Sequence, residues 1–138
     1  MTRLLGFAPA AAWALLILWL GSQPSLSSPV DFPLSDKVGH LGMFSVLGAL
    51  LALGLHRAGA RASFAWPLVF GLAVGALDEL HQRSVPGRSS DWRDLVADVA
   101  GCVIGLWLTH RALEWRARRR RHASDTDRAS NTIQEHRA

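Results

Sequence analysis

Acidic side chains are concentrated at one end of the apolar segments of this 138-residue chain. Of its eleven Asp and Glu residues, seven lie toward this end, several of them inside or at the edge of a segment: Asp31, Asp36, Asp78, Glu79, Asp91, Asp94 and Asp98. Carboxylates are costly in apolar surroundings, so they face a protein interior or a wet cavity and usually mark function. The pattern therefore predicts a polar site to which several segments contribute.

The first group that could do chemistry is Asp36-Lys37-x-x-His40. Asp36 and His40 are four residues apart, so they share a helix face, and the carboxylate can orient the imidazole and raise its basicity. The alternative is a helix start, in which Ser35 or Asp36 caps the first turn and His40 is an interfacial residue.

The second group is Asp78-Glu79-x-His81-Gln82, at the end of an apolar segment. Asp78 lies one helical turn from Gln82 and close to His81 on the same side. Negative charge at a helix C-terminus opposes the macrodipole, so capping does not explain these carboxylates. They favour a functional or structural polar network.

The third group comprises Asp91, Asp94 and Asp98, whose spacings of three and four place them on one helix face. Asp98 lies about 6 Å deeper than Asp94 by the helical rise. Arg88, in a Pro-Gly-Arg turn before this helix, offers a fork of donors suited to carboxylate or phosphate, or it pairs with Asp78 or Asp91.

Three uses of this set are open: a self-satisfied network that holds helices together, a headgroup site, or a divalent-cation site formed by the carboxylates and His40. In the headgroup site, Lys37 and Arg88 would hold phosphate. The chain contains no HExxH, no cysteine pair, no nucleophile elbow and no glycine-rich phosphate loop. We therefore predict no metal and no cofactor, and no catalytic residue is assigned.

Four apolar segments must position these groups, at about 4–20, 38–55, 62–80 and 93–110. Each is close to the roughly 17–25 residues that a helix needs to cross a membrane. We predict an all-α polytopic membrane protein with a four-helix transmembrane bundle in residues 1–115, including a retained first helix. The alternative, a small soluble helical protein, leaves too little polar chain to cover four such helices.

The distribution of basic residues predicts the topology. With both termini in the cytoplasm, the inner side holds Arg3, Arg57, Arg61, Arg111, Arg116 and Arg118 to Arg121, and the outer side holds Lys37, Arg83, Arg88 and Arg93. This satisfies the positive-inside rule. Residues 116–138 are polar and aperiodic, and we predict a basic, disordered cytoplasmic tail that meets anionic lipid. Nucleic acid is not a predicted partner.

Two small-xxx-small pairs, Gly71/Gly75 and Gly101/Gly105, lie in the third and fourth segments. Such pairs allow helices to approach closely, so they predict that these two helices pack together. The lone cysteine, Cys102, lies within an apolar run and is predicted to be a small buried packing residue.

The ordered succession DKVGH, DELHQ, VPGR and DWRDLVADVAG resembles the VanZ-like membrane proteins over about Asp36 to Gly105. Carried over by this resemblance, the polar positions are Asp36, Lys37, His40, Asp78, Glu79, Gln82, Arg88, Asp94, Asp98 and Gly101. One position departs, because many members have asparagine where this chain has Asp98. The family is bacterial and is named for a member linked to glycopeptide (teicoplanin) resistance, so the resemblance implies a location rather than a reaction.

We therefore expect a multi-pass protein of the bacterial cytoplasmic membrane that binds an envelope headgroup or a glycopeptide-type antibiotic in an outward-facing polar pocket. Its expected partners are membrane lipids and a lipid-linked envelope precursor. A structural or accessory subunit is one alternative. Another is an intramembrane hydrolase or transferase, with His40 and a carboxylate as the acid–base pair.

Overall fold

The computed structural model describes residues 2–23, 35–59, 64–86 and 91–135, and its described part is entirely α-helical. The helices, in chain order, are α1 (Thr2–Leu5), α2 (Ala8–Gly21), α3 (Ser35–Arg57), α4 (Ala65–Gln82) and α5 (Trp92–Glu135). The four predicted spans fall on α1 with α2, α3, α4 and α5 in turn. The all-α prediction is confirmed.

Helix ends follow from local chemistry. Pro9 lies in the first turn of α2, where its missing N–H costs little. Beyond the end of α3, Gly59 adopts a φ of +64° and its N–H donates to the carbonyl of His56. Asp91 precedes α5, and its carboxylate accepts the backbone N–H of Arg93 at 3.0 Å, as an N-cap residue does. The positions of these helix ends determine where along the bundle the polar side chains next to them lie.

The most extensive helix contact joins α3 and α5, which run in the same direction. A β-carbon at Gly101 would overlap the carbonyl of Leu41, and one at Gly105 would overlap the carbonyl of Ser45. Gly48 on α3 likewise lies against the backbone of Cys102. This glycine seam allows the two backbones to touch.

The prediction that the third and fourth segments pack together is confirmed by the contact between α4 and α5, but only one of the two glycine pairs lies in that contact. On α4, a β-carbon at Gly71 would lie 2.7 Å from Cys102 Sγ, and one at Gly75 would lie 2.8 Å from Asp98 Oδ2, so this pair does face α5. The pair on α5 faces α3 instead. Cys102 is buried in the core, as predicted.

Helix α2 completes the bundle against α3 and α4. The indole Nε1–H of Trp13 donates to the carbonyl of Met43 at 2.9 Å. At one end of α2, Gly21 lies against the carboxylate of Asp78, and near the other end the ring of Phe7 lies against Gly54. Helices α2 and α4 both run antiparallel to α3, so the C-terminal end of α2 lies next to the polar C-terminal end of α4.

Large apolar side chains are exposed on every long helix, including Leu15, Val46, Leu72 and Trp107, whereas six polar or charged side chains are buried. Exposed apolar side chains on every long helix, together with buried charges, are more typical of a membrane protein than of a soluble monomer. Two described helices, Asp36–Arg57 in α3 and Trp92–Asp125 in α5, are long and apolar enough to cross a membrane by length and composition. Membrane association is plausible, and the number of crossings stays a prediction.

The prediction of a disordered segment at residues 116–138 differs from the structure, in which α5 continues to Glu135. Residues 111–121 are rich in Ala, Leu, Glu and Arg, which favour helix. The guanidinium of Arg119 also stacks over the ring of Trp115 at 4.0 Å, one turn earlier. Propensity and local pairs thus extend the helix beyond the packed bundle.

Candidate functional site

A cluster of polar side chains fills the end of the bundle where α3 begins, α4 ends and α5 begins. We call this region the acidic end, and its members the acidic cluster: Lys37, His40, Asp78, Glu79, Gln82, Asp91, Asp94 and Asp98. Six of them, all except Lys37 and Asp91, are at most 6% exposed. Three helices therefore place eight polar groups, drawn from three separate sequence motifs, in one interior region.

His40 and Asp98 form the deepest contact of the cluster. Nδ1 of His40 lies 2.9 Å from Oδ1 of Asp98, and both side chains are buried. The spacing of Asp36 and His40 predicts that Asp36 orients this imidazole, but the hydrogen-bond partner of His40 comes from α5. The glycine seam explains the difference, because it brings the two helices close enough for residues 58 positions apart to bond.

Lys37 joins α3 to the start of α5 by two ion pairs. Its Nζ lies 2.7 Å from Asp94 Oδ1 and 3.1 Å from Asp91 Oδ2. The backbone N–H of Arg93 and the ammonium of Lys37 together hold the pKa of Asp91 below its ordinary value. The lysine that the sequence analysis assigned to phosphate is thus paired with two carboxylates.

Helix α4 contributes the predicted Asp78–Gln82 pair, in which Gln82 Nε2 donates to Asp78 Oδ2 at 2.7 Å. Glu79 reaches across to α5, where its Oε2 accepts the backbone N–H of Asp91 at 3.1 Å. His81 is exposed, whereas Asp78 and Gln82 are buried, so the imidazole lies outside the packed part of the cluster. Asp78 and Glu79 point inward because residues one turn apart, 75, 78, 79 and 82, share the buried face.

Three carboxylate oxygens in the described part of the chain are buried without a hydrogen-bond partner: Asp78 Oδ1, Glu79 Oε1 and Asp98 Oδ2. Two of them lie where a neighbouring helix has a glycine. Asp78 Oδ1 lies against Gly21, and Asp98 Oδ2 lies against Gly75. The contact between Gly21 and Asp78 was not predicted from the sequence. The available signal was a glycine at the end of an apolar segment, where a helix can approach its neighbour closely.

The cluster also contains a geometry that could hold a metal ion. Asp36, His40 and Asp94 each offer one ligand atom, and these atoms lie within 4.8 Å of one another. Nitrogen and carboxylate oxygen suit Zn²⁺ or Mn²⁺. Asp36 itself is exposed on the first turn of α3, and Asp94 already accepts a hydrogen bond from Lys37. A cation would therefore have to displace or share the lysine contact.

The structure thus brings together every predicted site residue that lies in its described part. Arg88 and Asp31 lie outside the described residues, so their predicted placement stays a prediction. The outward-facing pocket also stays a prediction, because the described side chains of the cluster are packed against one another. Among the residues that the structure describes, the cluster and Asp36 together offer an excess of acceptors: six carboxyl groups around one ammonium and one imidazole.

Comparison with known proteins gives one match. A family model described as VanZ/LLP1 matches residues 7–113, about three quarters of the chain. This range contains the acidic cluster, all of α2, α3 and α4, and the packed part of α5. No curated protein and no solved structure matches the chain.

Proposed function

The chain belongs to the VanZ/LLP1 family, and from this premise we propose that it is a multi-pass protein of the bacterial cytoplasmic membrane that recognises a cell-envelope component. In this proposal the acidic end faces outward. The cluster binds hydrogen-bond donors of the ligand, namely amine or hydroxyl groups of a lipid-linked headgroup or of a glycopeptide antibiotic.

The lengths of the helices support four crossings. By a rise of about 1.5 Å per residue, α3 extends about 35 Å and α4 about 27 Å, against a hydrocarbon core of about 30 Å. Helix α1 is joined to α2 by backbone hydrogen bonds through Phe7, so residues 2–21 extend about 30 Å together. Exposed apolar side chains on all these helices suit contact with lipid.

The observation that carries the ligand proposal is the set of three buried carboxylate oxygens without partners. A buried acceptor that lacks a donor costs about 1–3 kcal/mol, and more when it is charged. A ligand that enters between the helices and brings amine or hydroxyl donors to Asp78, Glu79 and Asp98 would recover this cost. The same oxygens would repel a phosphate.

The ion pairs of Lys37 also favour a ligand that donates hydrogen bonds over an anionic one. Its ammonium already contacts Asp91 and Asp94, so a phosphate would have to break two ion pairs to reach it. An amine or hydroxyl group would instead add to the existing network. We therefore propose donor-rich groups, such as amino sugars and peptide amines, as the recognised chemistry.

The test uses the full chain in nanodiscs and measures its affinity for a lipid-linked disaccharide–peptide precursor of peptidoglycan. Asp78→Asn and Glu79→Gln keep side-chain size but remove the charge. We expect each to weaken binding by at least about tenfold, because a hydrogen bond to a charged group contributes about 1.5–3 kcal/mol. The matched control is Asp125→Asn, which removes one exposed carboxylate from α5 and should leave the affinity unchanged.

A structural role is the second candidate, and the cross-helix contacts of Lys37 and His40 favour it. The two candidates differ in the behaviour of the variants. If Asp78→Asn and Glu79→Gln insert and unfold like the original chain but no longer bind the precursor, recognition is supported. If both lose inserted, folded protein, or if the original chain binds no precursor, the cluster serves folding.

A divalent cation is the other candidate, favoured by the convergence of Asp36, His40 and Asp94. Its test is the metal content of the purified full chain after dialysis against micromolar Zn²⁺ or Mn²⁺. Stoichiometric metal that is lost in Asp36→Asn but kept in Asp125→Asn would support the cation site. Equal metal in both variants would exclude it.

A further inference from the structure

Two apolar cavities lie at the opposite end of the bundle, where α3 ends, α4 begins and α5 leaves the packed region. We call this region, with residues 111–121 of α5, the arginine end. The larger cavity is about 290 Å³, and its mainly apolar walls include Ala52, Leu55, Phe64, Leu106 and Leu113, with two histidines and Glu114 among them. The smaller is about 170 Å³, and it shares Phe64 and Leu106 with the larger.

The shape of this pair suits two hydrocarbon chains. Along α5 the larger cavity runs from Leu106 to Ala117, which is about 16 Å by the helical rise. The smaller cavity is lined entirely by apolar and aromatic side chains, including Val103 and Trp107. Two adjoining, largely apolar cavities that share walls can take the headgroup-proximal parts of two acyl chains.

A basic depression adjoins the larger cavity. Its walls include Arg111, Trp115 and Arg118, and it shares Glu114 with the larger cavity. Residues 111–125 hold six arginines against two acidic residues, Glu114 and Asp125. The depression therefore offers guanidinium groups, which bind phosphate by bidentate hydrogen bonds, directly beside an apolar site.

Glu114 is the group that opposes an anion here. Its Oε2 lies 4.0 Å from Arg111 Nη1, and its Oε1 lies 3.6 Å from His110 Nδ1. Both contacts are long and the side chains are partly exposed, so they are weak. A phosphate that approached Arg111 would compete with this carboxylate. Removal of the Glu114 charge should therefore strengthen phosphate binding.

We propose that the arginine end binds one anionic diacyl phospholipid, with the headgroup-proximal parts of its acyl chains in the two cavities and its phosphate on Arg111 and Arg118. The proposal uses only the membrane location from the proposed function, not the ligand of the acidic cluster. Helix α5 extends about 66 Å, so its arginine-rich part continues past the hydrocarbon core into the headgroup layer.

The experiment titrates the full chain in detergent with dioleoyl phosphatidylglycerol, which is anionic, and with dioleoyl phosphatidylcholine, which has the same chains but no net charge. Native mass spectrometry measures the bound fraction. We expect one phosphatidylglycerol per chain, bound at least about tenfold more tightly than phosphatidylcholine, because the choline cation beside the phosphate of phosphatidylcholine is repelled by the arginines. Glycerol phosphate, which lacks acyl chains, should not bind.

Variants distinguish a specific lipid site at the depression from general electrostatic attraction of anionic lipid to a basic helix. Arg111→Gln with Arg118→Gln should remove the preference for phosphatidylglycerol. Arg120→Gln with Arg121→Gln, which removes the same charge from the same helix outside the depression, should keep it. Ala117→Trp, at an exposed wall of the larger cavity, should weaken binding of both lipids by filling it without disturbing the core.

Glu114→Gln should tighten binding of phosphatidylglycerol about threefold or more, because it removes the competing anion from Arg111. Thermal unfolding of each variant confirms that the bundle is intact. Equal losses in the two arginine pairs, equal affinity for the two lipids, or weaker binding in Glu114→Gln would each overturn the proposal. Loss of precursor binding at the acidic end alone would leave it standing.

Discussion

The acidic end of the bundle buries its charged side chains, whereas the arginine end leaves them exposed. At the acidic end, Asp98 is fully buried and is held by His40 from another helix. At the arginine end, Arg119 is exposed and stacks on Trp115, one turn away on its own helix. One end therefore depends on tertiary contacts, and the other on local ones.

This difference follows from the cost of desolvation. A carboxylate or imidazole removed from water needs a partner with good geometry. His40 and Asp98 find this partner on each other's helix, and Asp78 finds it in Gln82, one turn away. Exposed guanidinium groups keep their hydration or meet lipid headgroups, so they need no such partner. Substitutions at the two ends should accordingly have effects of different size.

The largest effect is expected for His40→Leu, which leaves the buried carboxylate of Asp98 without its hydrogen bond. Removing one member of a buried pair costs about 3–5 kcal/mol of unfolding free energy. Denaturant titration of the full chain in detergent, followed by helical circular dichroism, measures this loss. His81→Leu is the matched control, because His81 lies on the exposed face of α4, and its effect should be within about 0.5 kcal/mol. Similar losses of unfolding free energy in the two variants would contradict the claim that the acidic end depends on buried tertiary contacts.

A smaller loss is expected for Gly105→Ala, because its β-carbon would overlap the backbone of α3 at Ser45. Overpacking of this kind costs about 1–3 kcal/mol. Gly42→Ala, on an exposed part of α3 with no atom within 4 Å of the new β-carbon, should be neutral or stabilising. Stability of both variants in the same denaturant series tests whether the glycine seam holds the acidic end together.

Asp98→Asn should cost only about 1 kcal/mol, since the amide oxygen can still accept a hydrogen bond from His40 Nδ1. This substitution places at position 98 the asparagine that many VanZ-like members have. A double-mutant cycle with His40→Leu measures the coupling between the two side chains. A loss as large as that of His40→Leu would mean that the charge of Asp98, rather than its hydrogen bond, stabilises the acidic end.

The smallest effect is expected for Asp91→Asn, which weakens a partly exposed ion pair with Lys37. Because the native pKa of Asp91 lies below its ordinary value, its stabilising contribution is present above that ordinary value and is lost as pH falls through the native pKa. The variant should therefore melt slightly below the original chain at pH 7, and the gap should close on acidification. A gap that widens at low pH would contradict this assignment.

Several features were predictable from residue spacing alone. Apolar segments of nearly membrane-spanning length fixed the helices, and the one-turn spacing of Asp78 and Gln82 correctly gave their hydrogen bond. Asp94 and Asp98 were correctly placed on one face of α5. Contacts of this kind join residues a few positions apart, so the helical repeat determines them.

Other features were not predictable, because they depend on which helices meet. The partner of His40 is Asp98 and not the nearby Asp36, and Lys37 contacts Asp94 from a helix 57 residues away. The glycines at 101 and 105 could have faced any neighbour, and they face α3. The helical continuation of α5 past residue 116 was also not predicted, because the polar, aperiodic sequence there indicated disorder although its residues favour helix.

By itself, the amino-acid sequence determined the helical class, the membership of the acidic cluster and the concentration of arginine at the other end. These are set by side-chain chemistry and the 3.6-residue repeat, which operate along one segment. The tertiary structure alone decided how the buried charges are paired and which carboxylate oxygens are left without donors. Pairing depends on the distance between helix axes, and that distance is fixed where glycines on separate segments let two backbones touch.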